Sequence, residues 1–181
     1  SQLARPRQRV DAFDFDVEQL LHRFLDLRLG SVLGHLEHDL NIGSIVRSAN
    51  AFMASEVHIV GKRRWNRRGA MVTDRYQHVR HHPDVATFAD WAKRNQLSII
   101  GIDNLPGSVA LETFALPEKC ILLFGQEGQG LTEEASAIVD SCLAIAQFGS
   151  TRSINAGAAA AIAMHAWVRQ HVFQQIPEGN K

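Results

Sequence analysis

The sequence predicts an α/β fold, a parallel sheet with helices on both faces. Two observations carry this. Short apolar runs alternate with segments of helical periodicity, and the runs at residues 97–102 and 120–124 are almost continuously apolar. A strand that is apolar on both faces is buried on both, as parallel strands covered by crossover helices are. With 181 residues and 45% apolar content, the chain is long enough for one sizeable core and too apolar for a disordered protein.

The elements follow in order. Residues 17–29 place Val17, Leu20, Leu21, Phe24, Leu25 and Leu27 at helical spacing, an amphipathic helix on an N-terminal extension. Residues 31–36 form a short, mixed run that reads as a strand. Residues 41–52 read as a helix with Ile42, Ile45, Val46 and Ala49 on one face. Residues 56–60 are a strand, 61–70 a glycine-bounded basic loop, and 76–80 a short strand ending before Pro83. Residues 83–95 form a helix whose apolar members are Val85, Phe88, Ala89 and Trp91. A buried strand at 97–102, a turn at 104–107 and a second buried strand at 120–124 follow. Residues 132–139 make a short helix, 141–146 a last strand, and 153–173 a long alanine-rich helix. The organisation expected is an extension over 1–30, one domain over 31–174 and a flexible tail over 175–181.

The formal net charge is zero, but its distribution is uneven. Arg5, Arg7 and Arg9 open the chain, and Lys62, Arg63, Arg64, Arg67, Arg68, Arg75 and Arg80 stand against Asp74 alone in residues 62–82. Residues 83–145 are acidic. Such asymmetry points to a polyanion on one face, although charge alone is equally compatible with a solvated loop. No apolar stretch approaches the length that crosses a bilayer, and the N-terminus lacks the apolar core of a signal peptide. Cys120 and Cys142 adjoin apolar runs and share no close spacing, which suits reduced thiols in a cytoplasmic protein.

Three stretches carry candidate chemistry. F-G-Q-E-G-Q-G-L follows a buried strand, where ligands of open α/β sheets bind. It lacks the Gly-Lys-Ser/Thr of a triphosphate loop and the spacing of a dinucleotide fingerprint, so either a ligand loop or a plain turn fits it. N-I-G-S-I-V-R-S-A-N-A-F, residues 41–52, puts Asn41, Ser44, Arg47 and Ser48 opposite the apolar face, suited to anion or ribose recognition or to a surface ion pair. F-G-S-T-R-S-I-N-A-G-A-A-A-A-I, residues 148–162, offers Ser153 as an N-cap and Asn155 beside it, followed by small residues that allow close helix packing.

In this order and spacing, the three stretches resemble the three motifs of the SpoU/TrmH-type RNA ribose 2′-O-methyltransferases of the SPOUT superfamily. The resemblance covers residues 31–172. It implies a parallel sheet flanked by helices with a C-terminal deep trefoil knot, S-adenosylmethionine bound between the knotted loops, and a homodimer. Cofactor contacts fall on Gly125, Gln126, Glu127, Gly128, Ile145 and Ile154. Catalytic positions fall on Asn41, Arg47, Glu127, Ser153 and Asn155. The chain departs from the family with Ile145-Ala146-Gln147 where Ile-Pro-Met is frequent, and with Ala156-Gly157 where Val-Ser often follows the asparagine.

The acceptor implied is a ribose 2′-hydroxyl, a weak nucleophile that must lose a proton. The family assigns that proton to the arginine, here Arg47. A guanidinium has a pKa above about 12, so a phosphate clamp that stabilises developing alkoxide charge is the more conservative role. No metal is required. His78, His81 and His82, beside Arg80, read as a basic RNA-facing surface in preference to a ligand set. In the loop, Arg63, Arg64, Arg67 and Arg68 can meet phosphates and Trp65 can stack on a base. The expected partner is RNA, tRNA in preference to rRNA, with no membrane. The alternative is a non-catalytic RNA-binding protein that keeps the knotted fold. A metabolic nucleotide enzyme is disfavoured by the missing phosphate-loop and dinucleotide motifs.

Overall fold

The computed structural model describes residues 28–33, 39–61, 77–125, 129–151 and 153–174. Its elements are β1 (Arg28–Leu33), α1 (Asp39–Ala51), β2 (Glu56–Val60), β3 (Val79–His82), α2 (Val85–Arg94), β4 (Ser98–Ile102) and β5 (Val109–Ala110), then a 3-10 turn (Leu111–Thr113), β6 (Lys119–Phe124), α3 (Glu133–Ser136), β7 (Ser141–Ala144) and α4 (Ala156–His171). Among the described residues the strands make one seven-stranded sheet in the order β3-β2-β1-β6-β4-β7-β5. Every pairing in it is parallel. The α/β class expected from the sequence is the one the chain adopts.

The continuously apolar runs have the cause expected of them. Along β6, Cys120, Leu122 and Phe124 enter one core while Ile121 and Leu123 enter the other. The first core holds Ile42, Ile45, Val46 and Ala49 of α1 with Ala160, Ala163, Met164 and Trp167 of α4. The second holds Phe88 and Ala92 of α2 with Ala135 of α3. A strand between two such cores has no polar face, because successive side chains point to opposite sides. Fully burying a leucine- or isoleucine-sized side chain contributes about 1.5–3 kcal/mol, so this layering dominates the fold's stability.

Several boundaries differ from the sequence expectation. The sheet begins at Arg28, inside the last residues of the expected N-terminal helix, the rest of which lies outside the described residues. β3 runs to His82 because the chain keeps its register with β2 up to Pro83. The expected helix at 132–139 is a single turn, capped by Thr132, whose hydroxyl accepts from Ala135 N at 3.2 Å. β5 is too short, at two residues, to leave a periodic signal. The last helix starts at Ala156, and its N-cap is Asn155, not Ser153.

The far end of α4 is fastened by side chains. Gln170, buried, accepts from Leu116 N at 2.8 Å and donates to Phe114 O at 2.9 Å. Trp167 Nε1 donates to Pro117 O at 3.1 Å, and His171 Nε2 to Leu116 O at 2.9 Å. The segment before β6 thus satisfies its backbone on the last helix instead of a neighbouring strand. Both cysteines are free, and burial pushes the Cys120 thiol up to about 12, which leaves it unreactive. Among the described residues, no helix is long and apolar enough to cross a membrane.

One expectation for the histidines is corrected. His82 is 4% exposed and faces inward, because strand alternation sends His81 out and His82 in. Its Nε2 lies 3.0 Å from Nδ1 of His58, which is 1% exposed. The His58 ring also packs, tilted by 47°, with its centroid 4.3 Å from that of Trp91. Its Nε2 lies 3.3 Å from Glu56 Oε2 without an aligned hydrogen bond. Arg80 ties Glu56 in turn, with Nε at 3.1 Å, and sits 5.3 Å over the Trp91 ring. Burial drives His58 down to about 3, against the opposing pull of Glu56. Burial lowers His82 and His171 as well.

A histidine depressed in the folded state stays neutral while the unfolded chain takes up protons below about 6.5. Its stability contribution is therefore complete above that pH and is lost as pH falls toward 3. Glu56 acts only at lower pH. Burial raises its pKa, but Arg80 outweighs that and holds it below its ordinary value. Urea midpoints are expected to fall between pH 7 and pH 5, at up to about 1.4 kcal/mol per unit for one such group. His58→Leu should flatten that slope, with His82 and His171 leaving a remainder. An unchanged slope in the variant would assign the pH dependence to other groups.

Candidate active site

The carboxyl ends of β6, β4 and β7 are neighbours in the sheet. The chain leaving each of them, together with the opening of α4, encloses a cavity of about 530 Å³. Ile102, Asp103, Asn104 and Leu105 line it from β4, and Phe124, Gly125, Gln129 and Gly130 from β6. Ile145 and Gln147 line it from β7, and Ser153, Ile154, Asn155, Ala156 and Ala159 from α4. This is where an open parallel sheet presents backbone groups that no further strand uses. The size suits a small-molecule ligand, and the walls mix aliphatic surface with a few polar side chains, the usual composition of such sites.

The two described ends of the glycine loop after β6 approach one another closely. A side chain at Gly125 would run into the backbone of Gly130 and the amide of Leu131. Gly130 has φ +70°, and a Cβ there would strike the Asp103 carboxylate. Asp103 Oδ2 accepts from Leu131 N at 2.7 Å, and Oδ1 accepts from Asn104 N at 2.7 Å. Both glycines are therefore required by the chain's own close approach, before any ligand is considered. Gln126, Glu127 and Gly128 lie outside the described residues.

The opening of α4 is built on Asn155. Its Oδ1 accepts from Gly157 N at 2.9 Å and Ala158 N at 3.2 Å, capping the helix. Its Nδ2 donates to Asn41 Oδ1 at 3.0 Å. Asn41 is 6% exposed at the start of α1, so two polar side chains 114 positions apart satisfy one another. One turn further along α1, Ser44 faces Gly157, where a Cβ would lie 3.0 Å from Ser44 Cβ. Arg47 follows on the same stripe and is exposed. It does not line the cavity.

The segment between β7 and α4 has its own anchor. Ala146 N donates to Glu112 Oε1 at 3.0 Å, a bond that a proline at this position could not make. Phe148, two residues on, is 98% exposed.

Of the residues singled out in the sequence, Gly125, Ile145, Ser153, Ile154 and Asn155 line the cavity. Asn41 touches it through Asn155, and Arg47 stands outside it on α1. Arg63, Arg64, Trp65, Arg67 and Arg68 lie outside the described residues. Sequence reading missed Asp103 and Asn104, although a polar pair directly after a buried strand of an α/β sheet was the signal for them. It also missed Glu112, which no motif marks.

The chain resembles known proteins over most of its length. Its sequence matches the SpoU rRNA Methylase family over residues 29–165. A tRNA (guanosine(18)-2′-O)-methyltransferase of Saccharomyces cerevisiae is 33% identical over 90 residues, 49% of this chain and 6% of that protein. The enzyme of the same description from Escherichia coli K12 is 26% identical over 156 residues, 84% of this chain and 67% of that one. The crystal structure of the SpoU methyltransferase AviRb from Streptomyces viridochromogenes in complex with the cofactor AdoMet superposes with a TM-score of 0.75 at 24% identity. That match covers 84% of this chain and 59% of AviRb. The chain thus spans a small part of the yeast protein and about two thirds of the E. coli one. With the family match running from β1 through most of α4, the chain belongs to the SpoU rRNA Methylase family.

Proposed function

We propose that this chain transfers a methyl group from S-adenosylmethionine to a ribose 2′-hydroxyl of RNA, tRNA in preference to rRNA. The observation that carries this reading is the convergence of the three sequence stretches. The glycine loop and the residues after β7 wall one cavity, and the α4 cap that closes it is bonded to the helix bearing Arg47. The yeast and E. coli relatives favour tRNA by the substrate in their names.

The cavity's residues fit the cofactor. Ile102, Phe124, Ile145 and Ile154 offer aliphatic and aromatic surface to a flat ring, and Asp103, Asn104, Gln147 and Ser153 offer hydrogen-bonding groups. When bound, S-adenosylmethionine supplies a methyl on a sulfonium centre whose leaving group is a neutral thioether. The chain's task is to hold the hydroxyl and the charge that develops on it. Arg47, exposed and on the polar stripe of α1, is available to a phosphate or alkoxide of a docked RNA. Asn155 has its carbonyl committed to the cap and donates its amide to Asn41, so it acts by fixing the start of α4. Ser153 is at the cavity wall and exposed, placed to meet substrate.

The same reading includes a homodimer, the deep trefoil knot of the SPOUT fold and a cytoplasmic location. It also includes an N-terminal extension over 1–30, the methyltransferase domain over 31–174 and a tail over 175–181. Gln126, Glu127 and Gly128 belong to the cofactor loop, with Glu127 also catalytic. Arg63, Arg64, Trp65, Arg67 and Arg68 belong to an RNA-binding loop. Gly61 leaves β2 at its carboxyl end, the edge of the sheet on which the cavity lies.

Two experiments test this. Purified protein should bind S-adenosylmethionine in a calorimetric titration and label transcribed tRNA at a ribose 2′-oxygen. Arg47→Ala should reduce that turnover by at least about 100-fold, as loss of one transition-state charge contact does, with cofactor affinity and melting temperature unchanged. Near-normal turnover in the variant would remove Arg47 from the mechanism. RNA affinity should fall steeply with salt, and reversing Arg63, Arg64, Arg67 and Arg68 to glutamate should flatten that dependence. Equal slopes for the two proteins would place the RNA elsewhere.

A further inference from the structure

We infer that Asp103 is a positioning residue for the cofactor cavity, the latch that holds Gly130 and Leu131 in place at its wall. The proposal rests on the function proposed above and assigns a role to a residue outside the three motifs. Asp103 follows β4 immediately and lines the cavity. Its carboxylate spans two walls, taking the amide of Leu131 from the loop after β6 and the amide of Asn104 from the loop after β4, each at 2.7 Å. Its backbone is fixed as well, with Asp103 N donating to Leu143 O of β7 at 2.9 Å and Ser108 Oγ donating to Asp103 O at 3.1 Å. The residue is thus held by β7 and holds the loop from β6.

The loop's glycines record the same constraint from the other side. Gly130 takes φ +70° and leaves free the space that the Asp103 carboxylate fills. Gly125 gives up its side chain so that Gly130 and Leu131 can fold back over it. A short loop rich in glycine has many conformations in isolation. One charge-assisted hydrogen bond, from Leu131 N to a carboxylate whose other oxygen is oriented by Asn104 N, selects one of them where Gly130 and Leu131 return to the fold. Without the latch the ordering cost is met at the moment of binding, and affinity falls by that amount.

Asparagine at 103 keeps one carbonyl oxygen and can serve one of the two amides. Alanine serves neither. The test compares Asp103→Asn and Asp103→Ala with Thr132→Ala, which removes the cap of α3 just beyond the loop and leaves Asp103 in place. Calorimetric dissociation constants for S-adenosylmethionine should rise about tenfold for D103N and more for D103A, one tenfold step corresponding to a hydrogen bond of ordinary strength. In steady state the KM for the cofactor should rise while the KM for RNA holds. In the cofactor-free protein, amide exchange at Leu131 should accelerate in D103A, with the exchange of β6 unaltered. T132A should lower the melting temperature without moving the cofactor dissociation constant. Wild-type affinity in D103A would overturn the latch. So would a rise in T132A matching that of D103N, since general softening would then explain both. Wild-type protein that binds no S-adenosylmethionine would overturn the proposed function and the latch with it. Binding by the wild type with equal binding by D103A would sink the latch alone.

Discussion

The cavity depends first on how closely the opening of α4 can approach α1. Gly157 sits where any larger residue would press on Ser44, and the helix around it is alanine on both sides. That proximity lets Asn155 reach Asn41 at 3.0 Å while still capping its own helix. A buried asparagine without a partner would cost about 1–3 kcal/mol, so the two side chains stabilise this arrangement against any other seating of the helix. Once α4 is seated, Ser153, Ile154 and Ala156 have no choice but to face the ends of β6, β4 and β7. The far end is fixed independently by Gln170 and Trp167 on the segment before β6. The helix is thus fastened at both ends.

The sheet order supplies the rest. A parallel sheet sends every strand's carboxyl end to one edge, so the loops of adjacent strands become walls of a common space. Here the three adjacent strands are β6, β4 and β7, far apart in one case along the chain. Their loops are tied to one another by polar groups from the β4–β6 connection, Asp103 to Leu131 N and Glu112 to Ala146 N. The family proline absent at position 146 would have stiffened the chain by fixing φ. In this chain an alanine amide donated to a carboxylate restrains the same segment by a different means.

Much of this was legible in the sequence, for identifiable reasons. The apolar runs of β4 and β6 announce burial on two faces, and α1 divides cleanly into Ile42, Ile45, Val46 and Ala49 against Ser44 and Arg47. Those are properties of period and need no tertiary knowledge. The cap of α4 was misplaced by two residues because Ser153 and Asn155 are both good capping types, and only the partner Asn41 distinguishes them. The burial of His82 leaves no mark in the sequence because it depends on His58 and Trp91, which arrive from other elements. The position of Asp103 after a buried strand was a signal, but the bonds of Asp103 and Glu112 were not legible because their partners are backbone amides, which carry no sequence signature. The glycines were legible as an anomaly but not as a cause. Gly125 reads as room for a ligand, whereas the nearest obstacle to a side chain there is the loop itself.

The exposure of Arg47 fits a macromolecular substrate better than it would fit a small one. A site for a small molecule builds its charged groups into a dry cavity and stabilises them there permanently, at the cost of desolvation. Arg47 instead stays in water on α1, outside the cavity, where an isolated charge interacts weakly with anything at a distance. An RNA that docks over this face would bring its own low-dielectric bulk and its own phosphate. Only then does the guanidinium face an anion without competing solvent, and only then is its interaction strong. On the proposed function, the arrangement would confine strong stabilisation to the assembled complex. Under the proposed function, the charge stands on a helix held by Asn155 through Asn41, and the substrate would complete the enclosure.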